Sequence, residues 1–310
     1  MLFWPGVLKV GEFFALCSAV CFAVSNVTVT RGAAKGAADN GVFLSLLLTT
    51  VISGACWLTA AANRGFAPVT AQGLLWFAAA GLFTSFIGRV FLFSSIQKLG
   101  ATRASAIKRL NPFFAVLLGV LVLSDPVNGG MALGMGLIML SFAILVRNAF
   151  HASQKDQPRG HWLKQLSNLG YLYGPISALG YAIGYLLRKL GLGEVPNAYF
   201  GAMIGSMMGV AIFAFIALFR PSYRVAIIST FTNSNRWLFA AGLAFSFGQI
   251  LYFVALSGST VSRVAMIASI EVFVTLFLSV LVFKRQEALT RPVLTAAILG
   301  VAGTVCIAVL

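Results

Sequence analysis

Apolar residues run through this chain in long unbroken blocks, and short polar stretches interrupt them at intervals. Blocks near 11–30, 41–62, 72–98, 101–123 and 128–146 are followed by others near 169–187, 197–219, 237–257, 260–283 and 292–310. Their length matches the roughly 20 residues that cross a hydrocarbon core of ~30 Å. Lipid offers a backbone no hydrogen-bond partner, so such blocks must be helices or a closed barrel, and continuous rather than alternating hydrophobicity selects helices. The pattern predicts an all-α membrane protein with ten transmembrane helices. Turns marked by Gly36, Pro68, Gly100 and the Asp125-Pro126 pair are short enough to make neighbouring helices antiparallel.

The longest polar interruption is HASQKDQPRGHWLKQLSN at 151–168, too charged to insert. It divides the chain into a first half (1–148), a polar basic connection (149–168) and a second half (169–310). A shift of 160 residues lays Gly88 on Gly248, Arg103 on Arg263 and Phe113 on Phe273, and a shift of 159 lays Ser18 on Ser177 and Phe22 on Tyr181. Five helices per repeat is an odd number, so the second copy enters the membrane from the opposite face. The expectation is two inverted five-helix repeats around a central cavity, the arrangement in which transporters place substrate near the midplane.

Composition agrees with that picture: 59% of residues are hydrophobic and only 9% are charged, against roughly 25% charged in a soluble domain. The net charge of +15 comes from bases scattered singly at block ends, with no aromatic-interleaved basic stripe, which argues against nucleic acid as a partner. Lys9, Arg64, Arg188, Lys189 and Arg263 fall on the side of the termini. A larger set, including Arg31, Arg147, Arg220, Arg236 and Arg291, falls on the other side. The positive-inside rule then places the termini outside an inner (plasma) membrane. Cys17, Cys21, Cys56 and Cys306 all lie within apolar blocks and read as free thiols. No metal-ligand cluster, nucleophile with an adjacent His or phosphate-cradling loop is legible, so no enzyme activity and no cofactor are expected. GxxxG steps at Gly201/Gly205/Gly209, Gly130/Gly134 and Gly180/Gly184 read as packing seams within one bundle, compatible with a monomer.

The block at 101–123 carries Lys108, Arg109, Asn111 and Pro112 near its middle. A charge at that depth costs about 2.5–3.5 kcal/mol on insertion scales and usually faces a protein-lined cavity. The repeat register pairs Asn111 with Glu271 and Arg89 with Gln249, polar on polar in both cases. Lys108 shares a helix face with Ser105 and Asn111, whereas Arg109 points about 100° away. Ser246, Gln249 and Tyr252 on one block, Asn26 on the first, and Tyr181 and Tyr185 on the sixth complete the polar and aromatic set. The candidate substrate-binding residues are therefore Lys108, Asn111, Glu271, Arg89, Gln249, Tyr252, Ser246, Asn26, Tyr181 and Tyr185. Three bases against one acid favour a carboxylate, and the tyrosines offer flat apolar surface. A small zwitterion or anion, with the bilayer as the other partner, fits both features.

The inverted five-helix halves, the S-A-I-x-x-L-N-P-F-F segment from Ser105 to Phe114, the acidic turn at Asp125 and the following Gly134/Gly136 helix resemble the drug/metabolite transporter superfamily, EamA-type branch. Within it the chain is most similar to bacterial amino-acid exporters of the YddG type. The resemblance implies a secondary transporter that exports aromatic and neutral amino acids or related metabolites by alternating access. A multidrug or other metabolite exporter of the same superfamily is the alternative. Two departures from the pattern stand in the second half: Val272 lies where Pro112 would match, and Arg285-Gln286-Glu287 replaces a Gly-Glu turn. The helix-face argument makes Lys108→Ala weaken substrate binding more than Arg109→Ala in a direct binding assay; the opposite order would place the other face towards the cavity.

Overall fold

The computed structural model describes residues 10–32, 41–66, 68–88, 91, 110–154, 170–232, 235–283 and 291–309. Among them every regular element is helical: α1 (Val10–Gly32), α2 (Val42–Arg64), α3 (Ala71–Gly81, continued as a π-helix over Leu82–Gly88), α4 (Asn111–Leu123) and α5 (Gly129–Gln154). There follow α6 (Gly170–Glu194), α7 (Ala198–Phe219), α8 (Pro221–Thr232), α9 (Arg236–Gly258), α10 (Val261–Ala268), α11 (Glu271–Phe283) and α12 (Arg291–Val309). Five are long and apolar enough to cross a membrane, over Val10–Val29, Val42–Asn63, Ala71–Gly88, Ala198–Phe219 and Arg236–Gly258. Large apolar side chains such as Leu121, Phe215 and Phe219 point outward and stand exposed, as expected where the surroundings are hydrocarbon rather than water.

Helix starts are set by short polar side chains that accept from orphan amides. Thr70 caps α3 through Gly73, Asn197 caps α7 through Phe200, and Asn235 caps α9 through Trp237 and Leu238. Asn235 also donates to the Gly32 carbonyl at 2.8 Å, which ties the start of α9 to the end of α1. α1 packs along α9, α10 and α11, and α6 packs along α3 and α4. Ser18 Oγ donates to the Gly248 carbonyl across the first seam (2.8 Å), and Ser177 Oγ to the Gly88 carbonyl across the second (2.5 Å). α5 and α12 form a third antiparallel pair in which glycine lets the backbones meet: a Cβ added at Gly303 would lie 2.7 Å from the Gly134 carbonyl oxygen.

Three polar clasps join helix ends on the side where α1 starts. Glu12, fully buried, pairs with Arg263 at 2.8 Å. Asp125 accepts from the Ser262 amide (2.9 Å) and hydroxyl (2.7 Å), so the α4–α5 turn caps α10. Lys189 donates to the Leu256 and Ser259 carbonyls (2.7 and 2.8 Å) and so closes the end of α9.

Several expectations need correction. The block at 260–283 is not one helix: it breaks at Ser269 and Ile270, where the Ser269 hydroxyl turns back on the Met266 carbonyl and the chain restarts at Glu271. The stretch after Phe219, between the blocks at 197–219 and 237–257, forms the additional helix α8. Helix also continues past Arg147 to Gln154, into the connection expected to begin at 149. Of the block at 101–123, only 110–123 belongs to the described residues.

The glycine seam gives a direct check. Gly303→Val should lower the thermal midpoint of the detergent-purified protein, corresponding to about 1–3 kcal/mol of overpacking. Gly136→Ala, where an added Cβ meets nothing within 4 Å, should leave the midpoint unchanged.

Candidate functional site

Between the α1/α9/α11 set and the α3/α6 set lies an open cavity lined by residues of those five helices. α1 contributes Phe22 and Asn26, one turn apart, and α9 contributes Phe245, Gln249 and Tyr252 at i, i+4 and i+7. Tyr181, Tyr185 and Arg188 repeat that spacing on α6, so each helix turns one stripe inward. The π-turn of α3 supplies Thr84 and Ser85; such wide turns recur at functional sites. The break before α11 supplies Glu271 at a helix N-terminus, where the positive end of the helix dipole favours a negative side chain.

Glu271 Oε1 accepts from Asn26 Nδ2 at 2.6 Å. Arg188, also in the lining, is 5% exposed; it donates to Gln249 Oε1 at 2.9 Å and to Thr84 Oγ1 at 3.4 Å. Its guanidinium carbon stands 4.8 Å from the Phe253 ring centre, 5.4 Å from that of Tyr185 and 5.8 Å from that of Tyr252. Aromatic faces carry negative charge and stabilise a cation held over them. The Tyr185 and Tyr252 rings meet at 4.8 Å, and Phe22 meets Phe245 at 5.4 Å, so the cavity has two aromatic walls.

Asn26, Glu271, Gln249, Tyr252, Tyr181 and Tyr185 are brought together around this cavity. Asn111 stands behind the lining and donates to the Tyr185 hydroxyl at 3.3 Å. Ser246 is not brought there: fully buried, it bonds to Thr49 (2.9 Å) and to the Gly242 carbonyl (2.8 Å) on the side facing α2. Lys108 and Arg89 lie outside the described residues. Arg188, expected at a span end, instead lines the cavity, because α6 continues to Glu194 and Gln249, Thr84 and three rings lie against its guanidinium. The stripe Tyr181–Tyr185–Arg188, identical in spacing to Phe245–Gln249–Tyr252, is the signal in the sequence that identifies it.

An apolar-surfaced helical bundle with a polar, two-signed interior is the build of a multi-pass membrane protein that takes a small molecule inside. Residues 9–147 and 168–309 match the EamA-like transporter family, and the chain belongs to that family. Its members are membrane transporters of small molecules, not enzymes. One solved crystal structure of a protein shares the fold with a TM-score of 0.62 at 15% identity, covering 96% of this chain and 94% of the other. No curated protein matches the chain.

The two polar residues on α9 should separate experimentally. Gln249→Leu removes an acceptor from a buried guanidinium and should cost about 1.5–3 kcal/mol in thermal unfolding, and transport should fall with it. Ser246→Ala should leave transport within about twofold of wild type, since only neutral bonds to Thr49 and the Gly242 carbonyl, both away from the cavity, are lost.

Proposed function

We propose that this chain is a secondary transporter that exports amino acids, aromatic and neutral ones foremost, or closely related small metabolites, by alternating access. The observation that carries the reading is the cavity itself: an acid, a base and aromatic rings in one lining, and three clasps joining helix ends on one side. Opening that side would require the clasps to part while the opposite ends close, which is rocking about a central site.

Two inverted five-helix halves, 1–148 and 169–310, are part of the proposal, with 149–168 connecting them. The family match falls in two stretches with a gap over this connection. Helix pairing also survives exchange of the halves: α1 on α9 answers α6 on α3, and α1 on α10 and α11 answers α6 on α4. The Ser18–Gly248 bond answers Ser177–Gly88, and Asn26–Glu271 answers Asn111–Tyr185, in the registers of 159 and 160 residues. α4 and α11 are both 13 residues long and begin at Asn111 and Glu271, the paired positions.

Export is supported by the charge distribution. Arg31, Arg220, Arg224, Arg236 and Arg291 all lie at helix ends opposite the clasps. The positive-inside rule favours the cytoplasm for that end and the outside for the termini. The closed side would then face outward, leaving the cavity to load from within.

Full-length protein in liposomes preloaded with unlabelled amino acids should take up labelled phenylalanine, tyrosine or leucine by saturable counterflow. Flux that neither saturates nor responds to internal substrate across a broad amino-acid panel would sink the proposal.

A further inference from the structure

The base-rich ends of α1 and α9 hold a cationic cluster on the outside of the bundle. α1 turns Phe22 and Asn26 to the cavity, and α9 turns Phe245 and Gln249. Arg31 stands on the opposite face of α1 from that pair, and Arg236 on the opposite face of α9. Both arginines are exposed. Glycine brings the two helix ends together: a Cβ added at Gly32 would lie 2.9 Å from Trp237 Cβ, and Asn235 donates to the Gly32 carbonyl. Arg31, the residue before that glycine, lies over the Trp237 indole with its guanidinium carbon 4.3 Å from a ring centre. Arg236 approaches the same indole at 5.6 Å.

We propose that Arg31, Arg236 and Trp237 form a binding site for the phosphodiester headgroup of an anionic phospholipid, separate from the cavity and independent of what the cavity carries.

Two cations gathered on one indole repel each other. Among the described residues neither has an acidic partner or a side-chain hydrogen bond. Contact with a ring face uses the charge of a guanidinium and leaves its five N–H groups for an acceptor. Both side chains are long and exposed, so rotation about their own bonds brings both forks to one phosphate, a group that guanidinium forks bind bidentately.

The surface beside the cluster favours a lipid over a free anion. Val24 and Val20 lie on the Arg31 face of α1, and Phe239 and Phe247 follow Arg236 along α9; all four are exposed. An apolar strip leading from two bases towards the middle of the bilayer suits acyl chains, and free phosphate gains nothing from it. Tryptophan at this level belongs to the membrane–water interface. Anionic lipids concentrate in the cytoplasmic leaflet, the side that the charge distribution favours for these helix ends. Because Arg31 belongs to α1 and Arg236 to α9, the headgroup braces the seam that Asn235 already ties, behind the wall carrying Asn26 and Gln249.

The test uses full-length protein purified in a neutral detergent, with dioleoyl phosphatidylglycerol, dioleoyl phosphatidylcholine and inorganic phosphate as probes. In native mass spectrometry wild type should retain phosphatidylglycerol at an about tenfold lower concentration than phosphatidylcholine, as two bases near a surface would give. Phosphatidylglycerol alone should also raise the thermal midpoint by several degrees. R31Q/R236Q should lose both the preference and the rise. R220Q/R224Q removes as many charges from exposed positions on the same side and should keep both. Equal losses in the two double variants would reduce the effect to summed surface charge and overturn the site. A rise with inorganic phosphate as large as that with phosphatidylglycerol would overturn the lipid as its occupant. Should R31Q/R236Q not fold, R31K/R236K, which keeps the charges and removes the forks, should still weaken phosphatidylglycerol retention several-fold. Wild-type retention in R31K/R236K would overturn the inference.

Discussion

A guanidinium does not lose its proton inside a protein, and Arg188 lies almost wholly inside this bundle. Everything near it follows from that constraint. Lipid on the outside supplies no acceptor, so the charge has to be met from within by Gln249 on α9, Thr84 on the π-turn of α3 and the rings of Tyr185, Tyr252 and Phe253. Those partners come from three helices distant in sequence. Bringing them together requires α6 to sit against α3 and to reach α9, and that placement opens the cavity. The π-turn belongs to the same arrangement, since it brings Thr84 both to Arg188 and to the cavity lining.

Glu271 is placed by a different device. A continuous helix through 260–283 would satisfy its own backbone and present the carboxylate part-way along a rod. Stopping the helix at Ala268 and restarting it at Glu271 gives the carboxylate the amide-rich end of α11 and the side amide of Asn26. α4 likewise begins at its paired position, Asn111, a neutral residue, and there the side chain reaches the Tyr185 hydroxyl instead. Two helix starts at paired positions thus hold groups of different charge.

The helical class, the positions of most helices and six residues of the cavity lining were legible because block length and an i, i+4, i+7 stripe are local properties of a sequence. What was illegible depends on neighbours. Ser246 and Gln249 share a helix and differ by three positions, and only the arrival of Thr49 on α2 decides that the serine is spent on packing. Arg188 looked like a charge at a span end because Lys189, Glu194 and Pro196 follow closely. Its burial depends on acceptors contributed by two other helices. The break at Ser269 and Ile270 carries neither Gly nor Pro, so no breaker announces it.

The reciprocal bonds of Ser18 to the Gly248 carbonyl and Ser177 to the Gly88 carbonyl bear on how the chain is made. When α1 to α5 have left the ribosome, the Ser18 hydroxyl has no α9 to bond and the Gly88 carbonyl has no α6. Each sequence half holds one such hydroxyl and one such carbonyl, and the other half supplies the complement of each. These two bonds therefore form only once the second half is present. Each helix group lining the cavity combines early and late chain, α1 with α9 and α11, and α3 with α6, so a product that ends before the second half lacks most of the lining.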